Sequence, residues 1–116
     1  MTMTNTAQRV YKFPLPPLGD WISMTMPEGA EPLCVQVQDG QPCMWARVVV
    51  GRPPVVHHFR VAGTGHDLGS NVGRHIGSFQ LHGGALVFHV FADGVALAPR
   101  RLTPVGAGDG NTYVVG

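Results

Sequence analysis

Residues 33–48 read LCVQVQDGQPCMWARV and predict a β-hairpin. Asp39-Gly40 can occupy the two positive-φ positions of a type I′ turn, a common two-residue connection between antiparallel strands. This turn sets Gln38 opposite Gln41 and Val35 opposite Met44. Because strand side chains alternate between the faces of a sheet, one face carries the set we expect in the core, Leu33, Val35, Val37, Pro42, Met44 and Ala46, and the other carries Cys34, Gln36, Cys43, Trp45 and Arg47.

The same register separates the two cysteines of the chain. Cys43 faces Gln36 and lies diagonal to Cys34, at about 7–8 Å between Cα atoms. That separation exceeds the usual reach of a disulfide bond. We therefore expect both thiols to be free.

A second hairpin is predicted over residues 75–91, HIGSFQLHGGALVFHVF, with Gly83-Gly84 as its turn. This turn sets Phe79 opposite Phe88 and Leu81 opposite Leu86. The reverse face of this hairpin carries Ile76, Ser78, Gln80, Ala85, Val87, His89 and Phe91. The remaining apolar runs are short and bounded by Gly, Pro or Asp-Gly, which also indicates strands. The predicted strands are 10–13, 21–26, 33–38, 43–50, 55–62, 75–81 and 85–92, with a candidate eighth over 95–97.

This pattern predicts an all-β fold, a small antiparallel sandwich or barrel of about seven strands with extended N- and C-terminal tails. The predicted organisation is a single β domain over residues 10–98, an N-terminal arm over 1–9 and a C-terminal tail over 99–116.

The composition limits the classes of partner. Charged residues make up 13% of the chain and the net charge is +1, so the clustered excess of Lys and Arg that nucleic acid binding requires is not expected. The low charge indicates surface hidden in an assembly, although 16 Gly and 10 Pro also dilute charge by filling turns. No apolar run approaches the ~20 residues of a membrane-spanning helix, and the N-terminus lacks the apolar core of a signal peptide. We expect no nucleic acid or membrane partner and no secretion by a signal peptide.

The best candidate binding loop is residues 63–74, GTGHDLGSNVGR. Connections in compact domains are typically ~4–6 residues long, and longer ones are often functional. Its GxGxxxG spacing lacks the strand and helix context of a dinucleotide site, although a nest of backbone amides could hold an anion. The candidate binding residues of the loop are Gly63, Gly65, His66 and Asp67.

The other candidate binding residues are Trp45, Arg47, His89 and Phe91, on the second faces of the two hairpins. Both of these faces carry apolar side chains, and a strip of exposed apolar side chains seldom persists on the surface of a monomeric protein. We therefore expect a homo-oligomer or a constitutive complex whose interface includes the faces bearing Trp45 and Phe91. The alternative is a second sheet of the same chain covering those faces.

The sequence contains no recognisable catalytic or metal signature. Its six histidines do not follow a zinc spacing, and no Cys-x-x-Cys accompanies them. Ser78 lies opposite His89 in the predicted register, but no acid completes a catalytic set. We interpret this pair as a cross-strand hydrogen bond and expect no enzyme activity, no metal and no cofactor.

Three segments, MPEGAEPLCVQVQDGQPCMWARV, VAGTGHDLG and IGSFQLHGGALVFHVF, lie within the core between Tyr11 and Phe91. In these segments the chain resembles an uncharacterised family of short phage and prophage proteins. The resemblance implies a viral origin, and it transfers no activity and no functional residues. The N-terminal MTMTNTAQR and the extension after Phe91 depart from the family core.

Two functional hypotheses follow, and both are non-enzymatic. The preferred one is a virion-associated accessory protein, such as a capsid or tail decoration, that binds itself and other phage proteins. The alternative is a phage protein of the host cytoplasm that binds and inhibits a host or defence factor, or sequesters a small ligand at residues 63–74.

Overall fold

The computed structural model describes residues 7–94. They form seven strands in two antiparallel sheets that do not close into a barrel, so of the two predicted architectures the sandwich is confirmed. The strands are β1 (Gln8–Pro14), β2 (Trp21–Pro27), β3 (Glu31–Gln38), β4 (Gln41–Val49), β5 (Pro54–Gly63), β6 (Val72–Leu81) and β7 (Leu86–Asp93). All seven predicted strands are present, with ends shifted by a few residues, whereas the candidate strand over 95–97 and the predicted tail lie outside the described residues.

The two hairpins occupy different sheets. The three-stranded sheet has the order β1-β4-β3 and the four-stranded sheet the order β2-β5-β7-β6. The β3–β4 hairpin therefore receives β1 as an added strand, and the β6–β7 hairpin receives β5 and then β2. The two N-terminal strands, β1 and β2, are therefore edge strands of their sheets.

The turn between β3 and β4 has the predicted type I′ geometry. Asp39 has φ of 52° and Gly40 has φ of 78°, and Val35 lies opposite Met44 as the two-residue turn requires. Val35 and Met44 are both buried in the core.

Leu33 and Val37 are exceptions to the predicted core face of this hairpin, and Val37, near the turn, is 36% exposed. The pairing register shifts between Pro32 and Cys34, which leaves Leu33 unpaired in a bulge. Its side chain is 43% exposed. Cys34 and Cys43 are free, as predicted.

The β6–β7 hairpin has the predicted pairs Phe79 with Phe88 and Leu81 with Leu86. The prediction for Ile76 was wrong, because the register shifts on both sides of His75. The bulge between His75 and Gly77 inserts one extra residue, which moves Ile76 from the outer face into the core, where it is 7% exposed.

The core lies between the sheets and consists of aliphatic, methionine and phenylalanine side chains. Its buried members are Leu15, Ile22, Met24, Met26, Val35, Met44, Ala46, Phe59, Val61, Ile76, Phe79 and Val90. Met24 and Met26 alternate with exposed residues along β2, which is the pattern of a strand with one buried face.

The two sheets approach closely where β3 faces β6. A Cβ atom on Gly77 would lie 2.9 Å from Val35 Cγ2 and 3.1 Å from Val35 N. Arg74 Nη2 also donates a hydrogen bond to Pro32 O at 2.9 Å. The β3 and β6 edges therefore cover each other, and β1 and β2 lie at the opposite edges of the two sheets.

Candidate functional site

The outer face of the four-stranded sheet carries a chain of hydrogen-bonded hydroxyl and imidazole groups. His75 Nε2 lies 3.1 Å from Ser78 Oγ, Ser78 Oγ lies 2.6 Å from His89 Nδ1, and His89 Nε2 lies 2.8 Å from Thr64 Oγ1. The predicted cross-strand Ser78–His89 hydrogen bond is confirmed. We call these four side chains the histidine face.

The hydrogen bonds among Ser78, His89 and Thr64 can have either of two donor–acceptor directions. When the Ser78 hydroxyl donates to His89 Nδ1, the His89 Nε2–H donates to Thr64 Oγ1. In the reverse arrangement Thr64 donates to Nε2 and the Nδ1–H donates to Ser78. None of the hydrogen bonds just given ends on a carboxylate, the group that orients the histidine of a catalytic triad.

The loop after β5 is fixed to this sheet by Arg60, which is only 8% exposed. Its Nη2 donates to Asp67 O at 2.7 Å, its Nε donates to Leu68 O at 3.1 Å, and its Nη1 donates to Asp20 O at 2.9 Å. Because β5 extends to Gly63 and β6 begins at Val72, the loop is shorter than predicted. Arg60 Nη1 also donates to Val61 O at 2.6 Å. The buried guanidinium thus has four backbone carbonyl partners, and the two in the loop, Asp67 and Leu68, fix the loop to the sheet.

The structure brings most of the predicted binding residues to the four-stranded sheet. The Phe91 and His75 rings have centroids 5.2 Å apart and are tilted by 57° with respect to each other. The group consists of Gly63, Gly65, His66 and Asp67 in or beside the loop, and His89 and Phe91 on β7.

Trp45 and Arg47 are not part of this group, because they lie on β4 in the other sheet. Arg47 Nε donates to Glu31 Oε1 at 3.1 Å across the β3–β4 pair. The hydrogen bond and the charge of Arg47 lower the pKa of the exposed Glu31 carboxyl. Trp45 is half-buried, and Lys12 Nζ reaches over the same face to Gln38 Oε1 at 2.7 Å.

The sequence patterns did not indicate the roles of Arg60, Thr64 and His75. Arg60 interrupts an apolar run, VVHHFRVA, and a charged residue inside a buried strand needs polar partners. That signal was sufficient to find Arg60. His75 lies on the histidine face only because of the β6 bulge between His75 and Gly77, which the sequence does not mark.

His57 lies apart from the histidine face, opposite Met24 of β2. Burial lowers the pKa of its imidazole, although the carbonyl oxygen of Pro27, 3.2 Å from Nε2, partly opposes that effect. Its ring is stacked on Phe59 at 6.4 Å between centroids. This histidine is a packing element of the sandwich.

The β1 strand presents an unpaired edge. Val50 N donates to Ala7 O and Leu15 N donates to Pro42 O, each at 2.9 Å. Because bonded and non-bonded positions alternate along an antiparallel pair, the even-numbered residues direct their main-chain groups away from β4. These residues are Gln8, Val10 and Lys12, which we call the β1 edge.

The β2 strand presents a second such edge by the same reasoning. Val61 N donates to Asp20 O at 2.9 Å and Glu28 N donates to Pro53 O at 2.8 Å. The odd-numbered residues of β2 therefore point away from β5. They are Trp21, Ser23 and Thr25, which we call the β2 edge. Within residues 7–94, β1 and β2 each pair with a single strand.

A cleft of about 300 Å³ opens at one end of the sandwich. Its one polar lining side chain, Gln41, already donates from Nε2 to Leu15 O at 3.1 Å and to Pro42 O at 2.9 Å. The cleft therefore lacks the free convergent polar groups of a specific small-molecule site. It is lined by Leu15, Pro16, Pro17, Leu18, Gln41, Pro42 and Leu81.

Two other classes of site are absent from the described part of the chain. Between residues 7 and 94, no group of three His, Cys, Asp or Glu side chains is placed to hold a metal ion. In the same range no helix is long and apolar enough to cross a membrane.

Comparison with known protein families matches residues 6–98 to a domain of unknown function, DUF7352. No curated protein and no solved structure matches the chain. The family match covers both hairpins and all seven strands, and it agrees with the expectation of an uncharacterised family. The chain therefore belongs to the DUF7352 family.

Proposed function

We propose that this protein is a non-enzymatic binding module that contacts other proteins through the β1 and β2 edges, as an accessory component of a phage particle. The observation that carries the proposal is the pair of unpaired edges on the side of the sandwich opposite β3 and β6. Outward main-chain N–H and C=O groups of an exposed edge can pair with an extended segment of a partner.

Exposed apolar side chains flank both edges. Val10 is 56% exposed, Tyr11 is 38% exposed and Trp21 is 44% exposed. Aromatic residues are enriched at protein interfaces, where they bury large apolar areas with few rotatable bonds. Main-chain pairing along an edge and these anchors beside it would together supply affinity and specificity.

The chemistry of the histidine face supports binding over catalysis. Ser78 is hydrogen-bonded to His89 Nδ1 and His75 Nε2 on an exposed sheet face, whereas the cleft at the end of the sandwich has a different set of lining residues. A nucleophile needs an oriented base and a sheltered substrate position together.

The placement in a phage particle rests on the sequence resemblance and on composition. The resemblance implies a viral origin, and a chain with 13% charged residues suits surfaces that become buried in an assembly. The alternative is the intracellular role, in which the same edges bind a host or defence protein.

Mass spectrometry of purified particles tests this placement. Wild-type protein should be present at many copies per particle. Val10→Pro and Ser23→Pro should reduce its incorporation, because proline removes an outward N–H without breaking a main-chain hydrogen bond to β4 or β5, although Ser23→Pro also removes the Ser23 Oγ–His58 Nδ1 contact. Ser78→Ala, on the exposed histidine face, is the control and should be incorporated normally. Particles without the protein would contradict the placement and favour the intracellular role.

A further inference from the structure

We infer that the partner at the β1 edge is a second copy of this chain, with the two β1 strands paired antiparallel about a two-fold axis at Val10. The inference rests on the proposed function, and it identifies the occupant of one of the two edges.

The β1 strand is exposed on both of its faces as well as at its edge. Val10 projects on the outer face and is 56% exposed, whereas Tyr11 projects on the inner face and is 38% exposed. On β2 the inner-face residues Ile22 and Met24 are already buried, at 3% and 7% exposure. A strand added beside β1 therefore buries apolar surface on two faces, and a strand added beside β2 buries it mainly on one.

The β1 sequence is self-complementary in this register. With Val10 opposite its own copy, Gln8 of each strand lies opposite Lys12 of the other, and each such pair can exchange two main-chain hydrogen bonds. On the inner face Arg9 lies opposite Tyr11 of the other copy, which permits a cation–π contact. No two like charges lie opposite each other, so the electrostatic penalty of a symmetric strand pair is absent.

The one lysine of β1, Lys12, does not block strand pairing at the β1 edge. Lysine on an edge strand commonly blocks pairing by placing its charge where a new strand would lie. Here Lys12 Nζ crosses its own sheet and donates to Gln38 Oε1 on β3 at 2.7 Å. The ammonium group is thus held away from the position of the second copy.

The resulting dimer is closed. A two-fold strand pair uses the same patch on both copies and does not propagate into a fibre. It joins the two three-stranded sheets in the order β3-β4-β1-β1-β4-β3. The β2 edge of each copy stays accessible to a different protein.

Cysteine cross-linking tests the register directly. The background is Cys34→Ser, and the remaining Cys43 is 2% exposed. In the inferred dimer, Val10→Cys places two thiols on Cα atoms about 5.5 Å apart, within disulfide range. Gln8→Cys, on the same face and edge, is the matched control, because its two copies lie about four residues or ~13 Å apart along the strands. We expect a covalent dimer for Val10→Cys, none for Gln8→Cys, and a covalent dimer again when Gln8→Cys and Lys12→Cys are combined.

Light scattering on the full chain provides the second measurement. Wild-type and Ser23→Pro proteins should have twice the monomer mass, whereas Val10→Pro, with circular dichroism like that of the wild type, should have the monomer mass. A wild-type monomer, a dimeric Val10→Pro protein, or equal cross-linking at positions 8 and 10 would overturn the inference. The proposed function fails by a different result, absence from particles, which leaves the solution dimer unaffected.

Discussion

The substitution Gly77→Ala tests the contact between the two sheets. The added methyl group would lie 2.9 Å from Val35 Cγ2 and 3.1 Å from Val35 N. Because one of these atoms belongs to the backbone of β3, the clash is not relieved by a rotamer change alone. Overpacking of this kind costs about 1–3 kcal/mol, so we expect Gly77→Ala to lower the free energy of unfolding by that amount.

Gly19→Ala is the matched control for this change. A Cβ atom on Gly19 would be 3.8 Å from Trp21 O, an ordinary van der Waals distance. Replacing a glycine without strain restricts the unfolded chain and stabilises the fold by about 0.4–1 kcal/mol. The two substitutions add the same atoms, and we expect them to change the free energy of unfolding in opposite directions.

Urea unfolding measured by tryptophan fluorescence provides the assay. Gly77→Ala should lower the transition midpoint without changing the slope m, since the surface exposed on unfolding is nearly the same. In a thermal scan, each kcal/mol should lower Tm by about 4–8 °C for a domain of this size. Adding Val35→Ala to Gly77→Ala should cost less than the sum of the single changes, with a coupling of about 0.5–3 kcal/mol. Equal midpoints for Gly77→Ala and Gly19→Ala would refute the close approach of β3 and β6.

Three further predictions concern other parts of the fold. Arg60→Met should accelerate amide hydrogen exchange in residues 64–71 and cost about 1–3 kcal/mol, because it leaves carbonyls that were hydrogen-bonded without their donor; unchanged exchange there would contradict the role of Arg60. Burial lowers the pKa of His57 below its ordinary value of 6.5. As the pH falls through 6.5, the unfolded chain therefore binds more protons than the folded chain. The free energy of unfolding should fall with pH in this range, until the pH is below the pKa of His57 in the folded protein. His57→Gln should flatten the pH dependence of chemical unfolding in that range, and an unaltered profile would exclude the effect. A thiol reagent should label Cys34 in the native protein and Cys43, which is 2% exposed, only after unfolding; two thiols labelled at equal rates would contradict this burial.

The pairing within the two hairpins was predictable because it is determined by residues that are close together in the sequence. A two-residue turn with positive φ fixes the register of both flanking strands, so Asp39-Gly40 determines that Val35 meets Met44. The bulges were not predictable, since no residue pattern in β3 or β6 marks the positions where the register shifts. They account for the wrong placements of Leu33 and Ile76.

The histidine face was predictable only in part. The Ser78–His89 pair follows from hairpin register alone. Thr64 joins it because the end of β5 lies beside β7, a long-range pairing that a single sequence does not specify. Which hairpin each N-terminal strand would join was equally hidden, because β1 and β2 have similar lengths and similar strand patterns.

The strand order also has a consequence for how the chain folds during its synthesis. Phe13 of β1 pairs with Met44, and Trp21 of β2 pairs with Arg60, so both strands leave the ribosome long before their partners. The intervening linker over residues 15–20, LPPLGD, lacks two amide donors and opposes a hairpin between them. We expect the two local hairpins to form first and β1 and β2 to dock last, since distant pairing carries the larger loop-closure cost. Until then the vacant sides of β4 and β5 are exposed, which makes the partly folded chain vulnerable to misassociation.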